Sequence, residues 1–175
     1  MNTNIIPTRY LYVKTEDIPE RIQKILFSIK ESLRGLYLYG KCGTGKTHVA
    51  YAIANYCHEK KLKTMFYSST DLLREIKQDF DEDKKYVPSD QTNFAEILKF
   101  NGLLIIDDIG SEKPTEWAIE TLYAIINKRY EAVYPTIFTS NFTLEELAGR
   151  LGDRIVSRIA GSCEVVELQG KDRRL

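Results

Sequence analysis

GKCGTGKT, from Gly40 to Thr47, is the stretch whose reading decides the fold. A short apolar run, Leu36 to Tyr39, leads into it, and a helical pattern of Val49, Ala50, Ile53 and Cys57 leaves it. The glycines therefore fall on a turn between a strand and a helix, which is the context a phosphate-binding loop requires. Gly40, Gly43 and Gly45 let the backbone curl with its N–H groups pointing inward, and the N-terminus of the following helix adds the positive end of its dipole. Lys46 is then placed to reach the β- and γ-phosphates, and the Thr47 hydroxyl to ligate Mg²⁺. The competing reading is a Gly-rich turn with an incidental lysine, and the flanking strand and helix weigh against it. Gly40, Lys41, Cys42, Gly43, Thr44, Gly45, Lys46, Thr47 and His48 form the expected cradle for ATP or ADP.

A second informative stretch is LLIIDD, Leu103 to Asp108. Four consecutive apolar residues suit a parallel strand buried on both faces, and two carboxylates at its C-terminal end lie where α/β folds place their ligands. Asp107 is the Walker B acid, holding Mg²⁺ through water, and Asp108 is the candidate to orient the attacking water. A buried strand with an ordinary acidic end would read the same in isolation. The next strand, TIFT from Thr136 to Thr139, delivers Ser140 and Asn141 to the same edge, where Asn141 serves either turn chemistry or a hydrogen bond to the γ-phosphate or the water.

The remaining elements follow from periodicity. Residues 1–16 read as an irregular lead-in and 17–175 as one domain. Asp17, with Glu20 three positions on, is the expected N-cap of a helix facing inward through Ile18, Ile22, Ile25, Leu26, Ile29 and Leu33. TMFYS, Thr64 to Ser68, predicts a strand, and Ser69 or Thr70 the cap of a helix burying Leu72, Leu73, Ile76 and Phe80. Residues 81–90 read as an exposed loop. A short helix is expected around Phe94 to Leu98. Pro114 and Thr115 open a long helix whose predicted stripe is Ile119, Leu122, Ile126, Tyr130 and Val133. Thr143 and Glu146 form a capping box, and a further helix from Asp153 to Ile159 puts Arg154 and Arg158 on one face. A strand, Glu164 to Leu168, and a basic tail with Lys171, Arg173 and Arg174 leave no length for a helical lid.

Composition sets bounds on function. With 25 basic and 25 acidic residues in 175, the net charge is zero and argues for neither a polybasic nucleic-acid binder nor a disordered tail. The charges are uneven, with residues 71–96 acidic and 150–175 basic, so an anion-facing surface is expected toward the C-terminus. Cys42, Cys57 and Cys163 lack metal-ligand spacing, and His48 and His58 are not placed beside them, so a reduced cytoplasmic protein is the simple reading. No apolar run approaches the roughly 20 residues needed to cross a bilayer.

Assembled, these residues resemble the AAA+ ATPases, and within them the bacterial helicase loaders of the DnaC/DnaI type. The likeness rests on GKCGTGKT, LLIIDDIGSE (Leu103 to Glu112), the W-x(11)-RY from Trp117 to Tyr130, PTIFTSN (Pro135 to Asn141), RLGDRIVSRI (Arg150 to Ile159) and the GKDRR ending. It implies a P-loop NTPase fold, a three-layer α/β/α sandwich with a five-stranded parallel sheet. It makes Asn141 the sensor 1 residue, Arg158 the arginine finger with Arg154 in reserve, and Arg174 the sensor 2 arginine. It implies a weak ATPase stimulated by DNA or a partner. The implied partners are a replicative DNA helicase, single-stranded DNA and further copies of the chain across a shared ATP site, with no membrane. Asp108 replaces the glutamate most AAA+ proteins carry, and the lead-in is shorter than the helicase-gripping extension of the loaders. An IstB-like transposition helper is the neighbouring alternative, and a nucleotide-sensing module with little turnover is the third.

Overall fold

A computed structural model describes residues 6–32, 34–79 and 92–170, and for residues 28–32 the backbone alone. The loop expected at 81–90, Phe80, Leu33, the Ile29 side chain, Lys171, Arg173 and Arg174 lie outside the described residues. The helices are α1 (Glu20–Ser32), α2 (Lys46–Glu59), α3 (Ser69–Gln78), α4 (Asn93–Lys99), α5 (Glu116–Glu131), α6 (Leu144–Leu151) and α7 (Asp153–Ser162). The strands are β1 (Gly35–Tyr39), β2 (Thr64–Ser68), β3 (Leu103–Asp107), β4 (Thr136–Ser140) and β5 (Cys163–Glu167). All pair in parallel in the order β2-β3-β4-β1-β5.

Parallel strands joined by helical crossovers are buried on both faces, and the alternation of side chains divides the core in two. Leu36, Leu38, Ile105, Ile137 and Val166 point toward α1 and α2. Tyr37, Leu104, Ile106 and Phe138 point the other way, into a layer built by α3 to α7. The result is the three-layer α/β/α sandwich. Because every strand runs the same way, the loops after β1, β3 and β4 meet at one sheet edge.

Four local expectations are corrected. Asp17 does not cap α1: it closes a 3-10 turn, Thr15–Asp17, with its carboxylate accepting from Lys14 N at 2.9 Å. Pro19 intervenes, and its carbonyl accepts from Ile22 N at 2.8 Å to start the helix. The cap of α3 is Ser68, whose hydroxyl accepts from Asp71 N at 3.1 Å, rather than Ser69 or Thr70. On α5 the buried face is Ala118, Thr121, Leu122, Ile125, Ile126 and Arg129, whereas Tyr130 is 44% and Val133 56% exposed. The reading took the apolar Tyr130 over the neighbouring charged Arg129. Among the described residues the lead-in takes a defined path. It forms a second 3-10 turn, Thr8–Tyr10, and packs on α2, with Asn55 Nδ2 donating to Tyr10 O and Val13 O, each at 2.8 Å.

Candidate nucleotide site

The loop between β1 and α2 takes its shape from two glycines. A Cβ at Gly40 would collide with the Leu168 carbonyl, and Gly45, at φ 100°, holds the left-handed conformation from which α2 begins. Lys46 turns back over the loop, its Nζ donating to Gly40 O and Lys41 O at 2.8 Å each. The ammonium is thus held over the loop's concave face, although 7% of its residue surface is all that solvent reaches. Cys42, Gly43, Gly45, Lys46, Thr47 and His48 line a cavity of about 500 Å³. Asp108, Thr139 and Asn141 form its opposite wall, and Arg9 and Tyr10 of the lead-in close one end. Thr44 is buried and holds the loop instead, its hydroxyl donating to Lys41 O at 2.9 Å.

β3 brings Asp108 to the wall of this cavity and buries Asp107 beside it, behind Thr47 and Thr139. Asp107 accepts from the Thr47 hydroxyl at 3.0 Å (Oδ2) and from the Thr139 hydroxyl at 2.5 Å (Oδ1). The same Thr139 oxygen accepts from Asp108 N at 2.8 Å, so one hydroxyl spaces the two acids. Burial pushes the Asp107 carboxyl above its ordinary range, against the opposing pull of the Thr139 and Thr47 hydroxyls. Asp108 leaves the strand at φ 59°, a left-handed turn that swings its carboxylate out of the sheet, where Asn141 Nδ2 donates to Oδ1 at 2.8 Å. Asp107, Asp108 and Asn141 therefore lie together at this sheet edge.

The donor set suits magnesium. A threonine hydroxyl beside a carboxylate offers hard oxygens, and a divalent cation would favour the charged form of Asp107 that burial alone disfavours. Thr47 and Asp107 are the residues that would hold it, and it would supply charge neutralisation across the β- and γ-phosphates.

The family described as IstB-like ATP binding protein matches residues 8–175. The chain belongs to that family. Among curated proteins it is 33% identical over 156 residues to the replicative helicase loader DnaI of Bacillus subtilis, covering 81% of this chain and 48% of that one. It is 27% identical over 120 residues to the replicative helicase loader DnaC of Escherichia coli K12, covering 69% of this chain and 47% of that one. The chain thus spans about half the length of these relatives. A crystal structure of the DnaC helicase loader superposes with a TM-score of 0.76 at 29% identity, covering 93% of this chain and 99% of the other. The fold and the recognition as a DnaC/DnaI-type AAA+ domain stand together.

Other expected residues of this IstB-like domain lie apart from the cavity. Arg154 and Arg158 sit on α7, the first exposed and the second half-buried against α5; neither lines the cavity. Arg174 lies outside the described residues. Sequence reading missed four contributors. Thr139 was seen only as a strand residue. Arg9 and Tyr10 belong to the lead-in. Glu112, 4% exposed, accepts from Gly110 N at 3.0 Å and from the Ser69 hydroxyl at 2.7 Å, and so holds the turn after Asp108. The DDIGSE string contained Glu112, but its partner Ser69 lies 43 residues away.

Proposed function

We propose that this chain binds and hydrolyses ATP in the cytoplasm, assembles with copies of itself in the ATP state, and delivers a replicative DNA helicase to single-stranded DNA. The observation that carries the reading is the convergence of Lys46, Thr47, Asp108 and Asn141 on one cavity at the C-terminal sheet edge, with Asp107 hydrogen-bonded to Thr47 beside it. Lys46 would exchange the two loop carbonyls for phosphate oxygens, a stronger charge-assisted pairing. Asp108, steadied by Asn141, would orient a water toward the γ-phosphorus. Attack breaks the bond to the bridging oxygen and leaves ADP and phosphate. Arg158 of an adjacent copy would neutralise charge developing on the transferred group. Loading is favoured by the similarity to DnaI over 81% of the chain.

The family description favours a second reading, a transposition helper acting on duplex DNA. ATP turnover measured with single-stranded DNA, duplex DNA or neither separates the two. Stimulation by single strands, with a hexameric helicase recovered by affinity capture in the presence of an ATP analogue, is the expected result. Stimulation by duplex alone would transfer the site to the helper, and tight nucleotide binding without turnover under any condition would leave a sensing module.

A further inference from the structure

The two arginines of α7 are treated differently by their surroundings. Arg154 is exposed and makes no hydrogen bond among the described residues. Arg158 is held on three sides by α5. Its Nε donates to Asn127 Oδ1 at 3.0 Å, and its guanidinium carbon lies 5.7 Å from the Tyr123 ring centroid and 5.8 Å from that of Tyr130. Residues 123, 127 and 130 follow the helical repeat and share one face. The carboxamide of Asn127 is itself oriented, since its Nδ2 donates to Glu131 Oε1 at 2.9 Å. Gly161 makes room for the seat, because a Cβ there would stand 3.0 Å from Tyr130 Cε2. Ile155 and Ile159, on the adjoining buried face of α7, anchor the helix in the core.

What remains unused is the far end of the side chain. Among the described residues neither Nη of Arg158 makes a hydrogen bond, so the planar fork that pairs with two phosphate oxygens is the part left open. Nε is anchored and two rings lie within cation–π range of the guanidinium, so the fork is directed before any ligand arrives, and the entropy of fixing a long side chain is lost on folding instead of on binding.

We propose that Tyr123, Asn127 and Tyr130 are positioning residues that hold the Arg158 guanidinium ready for the terminal phosphate of a nucleotide on a neighbouring copy of the chain. The proposal rests on the shared-site reading above, and it selects Arg158 over Arg154 on the ground of this seat. Its reach is wider than one arginine, since residues of α5 then affect hydrolysis at a site on another molecule.

The test measures ATP turnover at fixed subunit concentration with single-stranded DNA, for Asn127→Ala, Tyr130→Leu, Tyr130→Phe and Arg158→Ala. Misplacing a reacting group by about 1 Å can cost up to about 100-fold, and a loosened fork should cost roughly tenfold. Asn127→Ala and Tyr130→Leu should therefore fall about tenfold in turnover with unchanged Mg·ATP affinity, while Tyr130→Phe, which keeps the ring, stays near the parental rate. Mixing either slow variant with Lys46→Ala subunits should raise the rate, because those subunits present a seated arginine to an intact phosphate loop. Mixing with Arg158→Ala subunits should not. A general loss of folding would lower affinity and would not distinguish the two mixtures. Full turnover in both Asn127→Ala and Tyr130→Leu, beside an inactive Arg158→Ala, overturns the seat and leaves the shared site. Full turnover in Arg158→Ala removes the shared site, and the seat with it.

Discussion

The two edges of the sheet use polar groups in opposite ways. At the C-terminal edge Lys46 bonds to the loop, Asp107 to Thr47 and Thr139, and Asp108 to Asn141, beside an open cavity of about 500 Å³. At the N-terminal edge Arg129, 2% exposed, is consumed by the fold: Nε donates to Thr136 Oγ1 at 2.7 Å, Nη1 to Phe100 O at 2.9 Å, and Nη2 to Gly102 O at 2.7 Å and Pro135 O at 2.8 Å. Three main-chain carbonyls accept from that guanidinium, and Pro135 O accepts from Leu104 N as well. Groups that trade hydrogen bonds beside a cavity can exchange them for a ligand, whereas groups that close on the backbone hold the fold. Arg158, with its fork open, belongs with the first kind although it lies outside the cavity.

The contrast can be broken most decisively at Lys46. Charge-assisted hydrogen bonds contribute about 1.5–3 kcal/mol each, so Lys46→Ala, losing contacts to two phosphates, should weaken Mg·ATP binding by at least roughly 100-fold in calorimetry. Its urea midpoint should barely move, and parental affinity would show that the cavity is not a phosphate site. Arg129→Ala should do the reverse. Leaving buried carbonyls without their cation should cost about 3–5 kcal/mol in urea unfolding. Burial lowers this guanidinium to about 10, which keeps it charged at neutral pH, so the loss should be flat from pH 6 to 8. A loss under about 1 kcal/mol would mean that the carbonyls find water and that this edge is not sealed.

Finer changes should separate the two acids. Asp107→Asn should impair magnesium-dependent turnover more than nucleotide affinity, and Asp108→Asn should slow turnover on the order of 10²-fold with affinity nearly unchanged. Parental turnover in Asp108→Asn would remove it from water positioning. The smallest effect concerns the thiols. Cys42 is exposed on the loop, whereas burial pushes Cys163 up to about 12 and raises Cys57 as well. A maleimide at pH 7 should modify one cysteine per chain quickly, and Mg·ATP should slow that reaction. Early modification of a second thiol would mean that the core opens at one of the two buried positions.

Much of this was legible because it is local. TMFYS coincides with β2, the loop glycines sit between β1 and α2, and Thr143 and Glu146 form their capping box. Such features are set within a few residues by turn and capping chemistry. What escaped reading depends on distant partners. Thr139 matters because β4 lies beside β3, which places its hydroxyl 32 positions from Asp107. The stripe of α5 is ambiguous along the sequence because both Tyr130 and Arg129 fit a helical repeat, and only the carbonyls of Phe100, Gly102 and Pro135, gathered by the fold, make the charged residue the inner one. The order of the strands, too, is a property of packing that no spacing along the chain displays.

Asn55 bears on where this chain can be cut. Both N–H bonds of its carboxamide are spent on Tyr10 O and Val13 O, and Tyr10 stacks on Tyr51 with ring centroids 4.3 Å apart, as Tyr51 does on Phe66. A shortened protein beginning at Asp17 would take both acceptors from that carboxamide, open it to solvent and strip the first ring from a pile of three. It would also unroof one end of the nucleotide cavity, where Arg9 and Tyr10 stand. Anyone trimming the polypeptide for crystals or spectroscopy should cut ahead of Pro7, because the dozen residues that follow are upholstery for α2 rather than loose thread.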